Sequence, residues 1–305
     1  MKDNSFKNII CFGEILWDML PTGKKPGGAP VNVAVHLKRL GLSPVVVSRV
    51  GHDRQGTELK EFLGSSGLDT RFVSVDEKLS TSEVLVHLDD EKNATYEICD
   101  PVAWDNILPS KELEKKAARS DLIVFGSLAQ RNSTTRETLS HLLKTTNATR
   151  LLDVNLRPPY DTPELVQELL RLSDFVKLND SELQQIALWN QVFGNEEYVM
   201  HWLASFYNCS VVCVTRGAKG AALLINDKYY EHPGFKVEAV DTVGAGDAFL
   251  AALISGLSKK QTPQKSVEFA CAVGAFVASQ KGAVPQYSES DINNFLNEKA
   301  ENNII

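Results

Sequence analysis

Short apolar runs alternate with amphipathic stretches along most of the chain. Six runs rich in Val, Ile and Leu predict buried strands, and they cover residues 8–15, 44–50, 122–125, 150–154, 175–178 and 210–215. Other segments have the apolar spacing of helices, and they cover residues 31–40, 55–63, 111–119, 134–144, 163–172, 181–187 and 196–206. Strands and helices in alternation imply right-handed crossovers, so we expect an α/β sandwich built on a parallel sheet.

The alternation stops in one part of the chain. Residues 83–89 and 95–99 have the pattern of two antiparallel strands, and the charged stretch 89–93 predicts a turn between them. Because no helical segment separates these strands, we expect a small sheet that projects from the main body. A second hairpin, with strands at 221–225 and 228–230, is expected at the far edge of the main sheet.

The last part of the chain is predicted to be helical. An Ala- and Leu-rich helix begins near residue 247, and further helices are expected at 266–279 and 291–298. With 305 residues, 43% of them hydrophobic, the chain is long enough to bury the core of one large domain. No internal repeat or low-complexity linker divides it, so we expect a single domain.

The composition argues against several classes of function. A formal net charge of −7 disfavours a protein that binds nucleic acid or an acidic membrane, because such proteins carry basic surfaces. The start of the chain lacks the pattern of a signal peptide, and the longest apolar stretches, 248–257 and 269–278, are too short to span a bilayer. Five cysteines stand at no metal-ligand spacing, so we expect a reducing, cytoplasmic location.

Common catalytic motifs are absent from the sequence. There is no Gly-x4-Gly-Lys-Ser/Thr phosphate loop, no His-Glu-x-x-His and no Gly-x-Ser-x-Gly. Gly244 and Gly246 are followed by Phe249 where a dinucleotide-binding motif needs a third glycine. The six histidines are dispersed, which argues against a nucleophilic site centred on histidine.

The helix start that follows Asp241 is a candidate anion site. Unpaired amides at a helix N-terminus attract anions, and the small residues Gly244, Ala245 and Gly246 let an anion approach those amides closely. Asp247 lies at the same place. Its carboxylate either accepts a proton from a bound hydroxyl or caps the helix, and this stretch alone does not separate the two interpretations.

A second glycine-rich stretch, Gly-Gly-Ala-Pro-Val-Asn-Val-Ala at 27–34, leads into a predicted helix. Together with residues 241–253 it resembles the two signature patterns of the ribokinase-like, PfkB-type carbohydrate kinases, and the resemblance extends over essentially the whole chain. It implies a ribokinase-like three-layer α/β/α sandwich with a mostly parallel sheet. It also implies one domain, residues 1–305, with a small projecting β-sheet lid formed by residues 14–26 and 72–105.

Further motifs narrow the resemblance. Gly-Glu-Ile-Leu-Trp-Asp at 13–18, Ala-Trp-Asp at 103–105 and Asp-Val-Asn-Leu-Arg-Pro at 153–158 look like those of bacterial fructokinases. The resemblance implies transfer of the γ-phosphoryl group of ATP to a primary hydroxyl of a sugar, with D-fructose as the leading substrate. Kinases for 2-keto-3-deoxygluconate also carry an arginine at the position of Arg157. A kinase for another sugar or sugar acid, such as ribose or that keto acid, is therefore an alternative. A non-catalytic sensor of sugar or nucleotide on the same fold is another.

The resemblance assigns roles to individual residues of the predicted site. Asp247 corresponds to the catalytic base, and Gly244, Ala245 and Gly246 correspond to the residues whose amides bind the transferred phosphoryl group. The residues expected to bind the sugar are Asp18, Gly28, Asn32 and Arg157. Alternatively, Asp18, Gly28 and Asn32 are ordinary turn or cap residues, and Arg157 is an ordinary surface residue.

ATP is expected to bind through Asn179, Thr215 and Gly217. Asn179 and Glu182 match a family motif in which the glutamate positions Mg²⁺, chiefly through water. The same spacing is an ordinary capping pattern at a helix start. Asp241 and Val243 resemble a loop that holds a monovalent cation in some relatives, and the requirement for K⁺ stays open.

The projecting strands would close over the sugar as a lid. Tyr96 and Trp104 either wall the sugar pocket or pack in the core or in a dimer. In this family such lids often pair between subunits, and an exposed apolar sheet face needs covering. We therefore expect a homodimer formed through the lid, with a small-molecule sugar as substrate and with no nucleic-acid or membrane partner.

Overall fold

The computed structural model describes residues 6–20, 23–88 and 94–302. Within these ranges the chain forms thirteen strands and ten α-helices. The turn predicted at 89–93 lies outside the described residues. In the described part of the chain, no helix is long and apolar enough to cross a membrane.

The strands and α-helices have the following bounds. The strands are β1 Ile9–Phe12, β2 Leu16–Leu20, β3 Gly23–Gly27, β4 Pro44–Gly51, β5 Val73–Asp76, β6 Ser82–Leu88, β7 Ala94–Ile98, β8 Leu122–Gly126, β9 Thr149–Asp153, β10 Phe175–Asn179, β11 Val211–Thr215, β12 Ala221–Ile225 and β13 Lys228–His232. The helices are α1 Ala29–Arg39, α2 Arg54–Ser65, α3 Lys111–Ala118, α4 Ser133–Thr145, α5 Pro163–Arg171, α6 Asp180–Trp189, α7 Glu196–Tyr207, α8 Ala245–Ser258, α9 Pro263–Ala278 and α10 Glu289–Asn302.

Nine strands form the main sheet, in the order β13-β12-β11-β10-β9-β8-β1-β4-β5. From β11 to β5 every neighbouring pair is parallel, whereas β12 and β13 form an antiparallel hairpin at one edge. This topology confirms the parallel sheet and the edge hairpin that the sequence pattern predicts.

The main sheet separates two apolar cores. Side chains along a strand alternate between its faces, so Ile9 and Cys11 enter one cluster whereas Ile10 and Phe12 enter the other. Helices α1, α2, α8, α9 and α10 cover the first cluster, and α3 to α7 cover the second. The architecture is the three-layer α/β/α sandwich that the resemblance implies.

Four strands form a separate small sheet, in the order β3-β2-β6-β7. Strand β2 is antiparallel to β3 and parallel to β6, while β6 and β7 form the predicted antiparallel pair. Trp17 on β2 attaches this sheet to α2, because its indole N–H donates to the carbonyl of Gln55 at 3.1 Å.

Residues 23–27 form strand β3 of the small sheet, because they pair with β2 along its whole length. One segment differs from the sequence-based expectation. Residues 73–76, expected in the lid, form β5 at the edge of the main sheet, where Val73 is buried in the main core. Strand β4 is long enough to pair with β1 through its first half and with β5 through its second half.

The carboxyl ends of the parallel strands meet along one edge of the main sheet, where open α/β sheets place their ligands. Glu14 follows β1, Asp153 ends β9, Asn179 ends β10 and Thr215 ends β11. Helices α1 and α8 pack against each other beside this edge. The edge therefore collects polar residues from distant parts of the sequence.

Candidate active site

The start of helix α1 lies directly against the loop after β1. Its N-cap is Gly28, with φ +109°, and a Cβ atom there would collide with the backbone carbonyl of Glu14. Since glycine has no side chain to cap the helix, the Glu14 carboxylate takes this role and accepts a hydrogen bond from Ala29 N–H at 3.2 Å. Gly28 is thus required by a close approach of two backbone segments.

Asn32 connects the two helices that meet at the site. Its side chain is buried in α1, and Nδ2 donates to Oδ2 of Asp247 in α8 at 2.8 Å. These residues are 215 positions apart in the sequence. Both residues are predicted from the sequence to lie in the site, and they are in direct contact.

The turn before α8 leaves backbone amides available. Gly244 is the N-cap, with φ +76°, and a Cβ atom there would lie 2.7 Å from Cα of Ala283. The first bond of the helix runs from Ala248 N–H to the Gly244 carbonyl, so the amides of Gly246 and Asp247 have no acceptor inside the helix. The small residues at this turn leave room for an anion beside those amides.

Asp247 projects from the first turn of α8 into a cluster of charges. It is partly exposed to solvent, yet protein atoms surround its carboxylate closely. Burial and the negative charge of Asp153 raise its pKa from 3.8 to about 6. Lys177, the hydrogen bond from Asn32 and the charge of Arg157 limit this rise. The carboxylate is therefore mostly ionised at neutral pH and more basic than that of an ordinary aspartate.

A buried ion pair lies next to Asp247. Lys177 in β10 donates from Nζ to Oδ1 of Asp153 at 2.9 Å, and the two side chains are 9% and 5% exposed. Burial by itself lowers the pKa of Lys177, but the carboxylates of Asp153, Glu182 and Asp247 outweigh it and raise that pKa. Lys177 is not among the site residues predicted from the sequence. The sequence marks it only as a lysine inside an otherwise apolar strand.

Asp18 and Arg157 reach the site from different elements. Asp18 lies on β2 opposite Lys25 of β3, and a Cβ atom at Gly27 would come within 2.5 Å of its Oδ2. Arg157 follows β9, is exposed, and donates to the carbonyl of Leu156 at 2.9 Å. Burial raises the pKa of Asp18, and the positive charge of Arg157 opposes that rise. The two residues are therefore near enough to interact electrostatically.

Glu14 is a buried carboxyl group that is not among the site residues predicted from the sequence. Its side chain is 3% exposed, and its Oε2 has no hydrogen-bond partner among the described residues. Burial raises its pKa from 4.5 to about 7, against the lowering effect of its backbone hydrogen bonds and of Arg157. The signal in the sequence is an acidic residue between two apolar runs.

The start of α6 forms a reciprocal cap. Oδ1 of Asn179 accepts from Glu182 N–H at 2.8 Å, and Oε2 of Glu182 accepts from Asn179 N–H at 2.8 Å. The other carboxylate oxygen, Oε1, accepts from Leu156 N–H at 2.9 Å. Asn179 and Glu182 therefore cap the start of α6, as the alternative interpretation of this motif predicts. Because both oxygens of Glu182 already accept backbone bonds, its geometry fits an ion held through water better than one bound directly.

Thr215 and Gly217 lie at the end of the neighbouring strand. Thr215 is the register partner of Asn179 across β10 and β11. Gly217 has φ +56° in the short turn that follows, and a Cβ atom there would meet open space in the described part of the chain. Between them, Arg216 is held away by hydrogen bonds to Glu196 and Tyr229. The backbone after β11 is thus accessible at the same sheet edge as Asn179.

Asp241 joins the loop before α8 to the loop after α9. Its Oδ1 accepts from Val243 N–H at 3.0 Å, and its Oδ2 accepts from Gly282 N–H at 3.1 Å. The Val243 side chain is exposed. The described residues contain no group of three or more His, Cys, Asp or Glu side chains arranged to hold a metal ion. A cation at these loops would therefore rely chiefly on carbonyl oxygens.

Trp104 packs in the core. Its side chain is fully buried, and the guanidinium of Arg131 lies 4.1 Å above its ring. Arg131 is itself paired with Asp105 at 2.7 Å. Of the alternatives for Trp104, core packing is the one found. The Tyr96 side chain lies outside the described residues.

The chain is similar to known proteins over most of its length. The sequence model of the pfkB family carbohydrate kinases matches residues 9–290. The chain is 31% identical over 299 residues to the sugar kinase PH1459 of Pyrococcus horikoshii, covering 91% of this chain and 92% of that protein. It is 29% identical over 294 residues to the fructokinase of Escherichia coli, with 90% and 94% of the two chains covered.

Solved structures match the whole fold. The structure of PH1459 in complex with ATP has a TM-score of 0.80 to this chain at 29% identity, covering 93% of this chain and 96% of that chain. Fructokinase from Vibrio cholerae O395, bound to fructose, ADP and a calcium ion, has a TM-score of 0.82 at 27% identity, with 96% and 99% covered. A double mutant of the latter has been solved with fructose, ADP and a potassium ion.

Proposed function

The chain belongs to the pfkB family of carbohydrate kinases, and we propose that it transfers the γ-phosphoryl group of ATP to a primary hydroxyl of D-fructose, forming fructose 6-phosphate. The observation that carries this proposal is Asp247, a carboxylate with a raised pKa beside free helix amides and a bonded Asn32. A proton acceptor next to an anion site is what phosphoryl transfer to a hydroxyl requires.

Asp247 acts as the base in the proposed reaction. It takes the proton of the sugar hydroxyl while that oxygen bonds to the γ-phosphorus and the bond to ADP breaks. Asn32 holds Oδ2 of Asp247 at 2.8 Å, which orients the other oxygen for the hydroxyl. Gly244, Ala245 and Gly246 surround the transferred phosphoryl group, and the free amides of the turn stabilise its negative charge.

The sugar is bound between the two sheets in this proposal. Asp18 accepts hydrogen bonds from sugar hydroxyls, Gly28 lets the sugar approach the backbone, and Asn32 and Arg157 contact it from the main body. Fructose is favoured because relatives such as the Escherichia coli protein are named fructokinase and the Vibrio cholerae structure holds fructose. Burial raises the pKa of Asp18, and the charge of Arg157 acts on it. Both observations support a polar pocket at this place.

ATP is bound along the strand ends in this proposal. Asn179, Thr215 and Gly217 form the nucleotide site, and Glu182 orients Mg²⁺ through water. Mg²⁺ on the phosphates would neutralise part of their charge during transfer. Asp241 and Val243 hold a monovalent cation such as K⁺ through loop carbonyls. Related structures that hold ATP, calcium or potassium support ATP and a metal ion as ligands.

The small sheet is the lid of the proposed enzyme, and two subunits pair through it as a homodimer. Strand β2 carries Asp18 on one face and Trp17 on the other, so the attachment to α2 leaves the Asp18 face available to cover the sugar. We also place the enzyme in the cytoplasm, because its five cysteines are free thiols.

A kinase for a sugar acid is the second candidate. It is favoured by Arg157, whose exposed guanidinium offers a planar fork that suits a carboxylate. A coupled assay for ADP release with D-fructose, D-ribose, D-glucose and 2-keto-3-deoxygluconate separates the candidates. Turnover with fructose supports the leading proposal, turnover with the keto acid alone replaces it, and no turnover with any of them favours a non-catalytic sensor.

The base role of Asp247 has a direct test. We expect Asp247→Asn to lower kcat by about 10²–10⁴, while the affinities for ATP and sugar change little. Asp291→Asn is the matched control, because Asp291 also stands third in its helix, α10, where it is exposed and bonded to Ser288. If both variants lose activity equally, or if Asp247→Asn stays near full activity, capping rather than proton transfer explains Asp247.

A further inference from the structure

The buried pair of Lys177 and Asp153 has no part in the proposed phosphoryl transfer. Its charges are almost fully removed from water, with 9% and 5% of the side chains exposed. Such pairs rarely stabilise a fold more than apolar residues of similar volume would, because desolvation offsets their attraction. In addition, Oδ2 of Asp153 is buried without a hydrogen-bond partner among the described residues. Stability alone therefore does not account for two charges at this position.

The pair lies immediately behind the anion site. A Cβ atom added to Gly246 would be 3.4 Å from Nζ of Lys177, so the ammonium stands beside the first turn of α8. A cation is unfavourable at a helix N-terminus unless anions accompany it. Here the carboxylates of Asp153 and Asp247 accompany it from β9 and α8, and that of Glu182 does so from α6.

We propose that Lys177 and Asp153 form a positioning pair that sets the protonation of Asp247: the ammonium holds the base ionised, and the Asp153 carboxylate keeps it basic. This inference rests on the proposed role of Asp247 as the base. Lys177 also adds positive charge under the glycine turn, where negative charge from the phosphoryl group would accumulate. Neither residue needs to touch the substrate, because each acts through Asp247 and the turn.

The electrostatic balance at Asp247 follows from the groups that face it. Asp153 of β9 opposes its ionisation, whereas Lys177 of β10 and Arg157 after β9 favour it. Glu14 after β1 lies close enough for the charge of Asp247 to raise the pKa of Glu14. Asn32 of α1 favours ionisation through its hydrogen bond. The opposite effects of Lys177 and Asp153 predict opposite consequences when each charge is removed singly.

A set of four variants measures these two effects. The titration of Asp247 is followed by ¹³C NMR of protein labelled at the aspartate carboxyl carbons, with Asp247→Asn identifying the resonance, and the acid limb of kcat/KM is recorded in parallel. Lys177→Met should raise the pKa of Asp247 by about one unit or more, and Asp153→Asn should lower it by a similar amount. In the double variant Lys177→Met/Asp153→Asn, the pKa of Asp247 should be close to its wild-type value. Lys177→Arg, which keeps the charge, should stay close to wild type as well.

The signs of the two shifts in the pKa of Asp247 distinguish a positioning pair from a purely structural one. Lys177→Met leaves a buried carboxylate unpaired and should lower the thermal midpoint, which the double variant should largely restore. A structural pair would give these changes in midpoint without opposite shifts in the titration of Asp247. Shifts of the same sign in Lys177→Met and Asp153→Asn, or no shift in either, would overturn the proposal. If Lys177→Met does not fold, Asp153→Asn and Lys177→Arg still decide the question.

The NMR titration does not depend on turnover. If the wild type phosphorylates none of the sugars, the proposed function fails, yet opposite shifts at Asp247 still support the positioning pair. If the wild type is active and Asp247→Asn is inactive, but neither charge variant moves the titration, the proposed function stands and the positioning pair is rejected. The two failures are therefore distinguishable.

Discussion

Glu14 illustrates how one buried carboxyl group makes stability depend on pH. Its pKa is about 7 in the folded protein, against an ordinary value of 4.5. Between these values the folded state retains a proton that the unfolded state has released. The free energy of unfolding therefore falls as the pH rises from 4.5 to about 7, by up to roughly 3 kcal/mol from this group. The cause is burial beside the start of α1, where Oε2 has no partner among the described residues.

We expect Glu14→Gln to raise the free energy of unfolding by about 1–3 kcal/mol at about pH 8 and to change it little near pH 4. The amide oxygen can still accept the hydrogen bond from Ala29 N–H, so the cap of α1 is retained. Urea unfolding at the two pH values measures the difference, and the exposed Glu61→Gln serves as the control. Destabilisation of equal size at both pH values would show that packing, and not charge, governs this position.

Helix α1 shows how one element can support two parts of a site. Asn32 holds Asp247, and His36 lies one turn later on the same side of the helix. A backbone carbonyl can only accept, so Nε2 of His36 carries the proton that is donated to the Ala283 carbonyl at 3.0 Å. Nδ1 is then unprotonated and accepts from the Tyr287 hydroxyl at 2.9 Å.

Through this contact α1 also supports the turn before α8. Ala283 packs against Gly244, where a Cβ atom would lie 2.7 Å from the Ala283 Cα. Arg39, further along α1, donates to the carbonyl of Pro285 in the same loop. The helix that positions Asp247, the proposed base, therefore also positions the glycine turn, and the two should respond together to changes in α1.

We expect His36→Ala to lower the free energy of unfolding by about 2–4 kcal/mol near neutral pH, because it creates a cavity and leaves two buried polar groups unpaired. Burial lowers the pKa of His36 from 6.5 to about 4, so the unfolded state takes up a proton first as the pH falls. His36 therefore contributes fully to the free energy of unfolding above pH 6.5, and its contribution declines as the pH falls toward 4. Unfolding at about pH 7.5 and pH 5 should show the smaller difference at the lower pH.

His52→Ala is the matched control for this experiment. The His52 side chain is 74% exposed, so its removal should leave the free energy of unfolding nearly unchanged. If His36→Ala is as mild as His52→Ala, the link from α1 to the loop after α9 is energetically unimportant.

At the scale of the molecule, two surfaces with exposed apolar side chains are candidates for the subunit contact of the proposed homodimer. On the small sheet, Leu20 shares a face of β2 with Asp18 and is partly exposed. The second surface, the α6–α7 face, carries exposed apolar side chains at Leu188, Phe193, Tyr198 and Phe206. Large exposed apolar patches usually mark an interaction site.

If two subunits pair through the small sheet, size-exclusion chromatography with light scattering should give twice the 33.6 kDa of one chain. Leu20→Asp should then yield the monomer, because it places an unpaired charge in the interface. Phe193→Asp, at a side chain that is 77% exposed, should leave the dimer intact. A dimer that survives the first variant and dissociates in the second would move the interface to the α6–α7 face.

The amino-acid sequence by itself determined the layers of the fold and the glycine turns of the site. Apolar periodicity shows which residues are buried whatever partner they meet, so the parallel sheet and its covering helices were predictable. The turns at Gly28 and Gly244 were visible because glycine tolerates left-handed backbone and close approach. The strand at 23–27 and the place of 73–76 were not predictable, since each depends on a neighbouring strand that offers a free edge.

Only the tertiary structure decided which charges meet. Asp247 lies against Asn32 from 215 residues away, and Lys177 lies against Asp153 from the neighbouring strand. In the sequence, Glu14 and Lys177 are single polar residues in apolar surroundings, and the same pattern would suit a loop or an exposed edge. Whether such a group is a base, a counter-charge or a cap depends on its distance to other charges and on its burial, and both are properties of the folded chain.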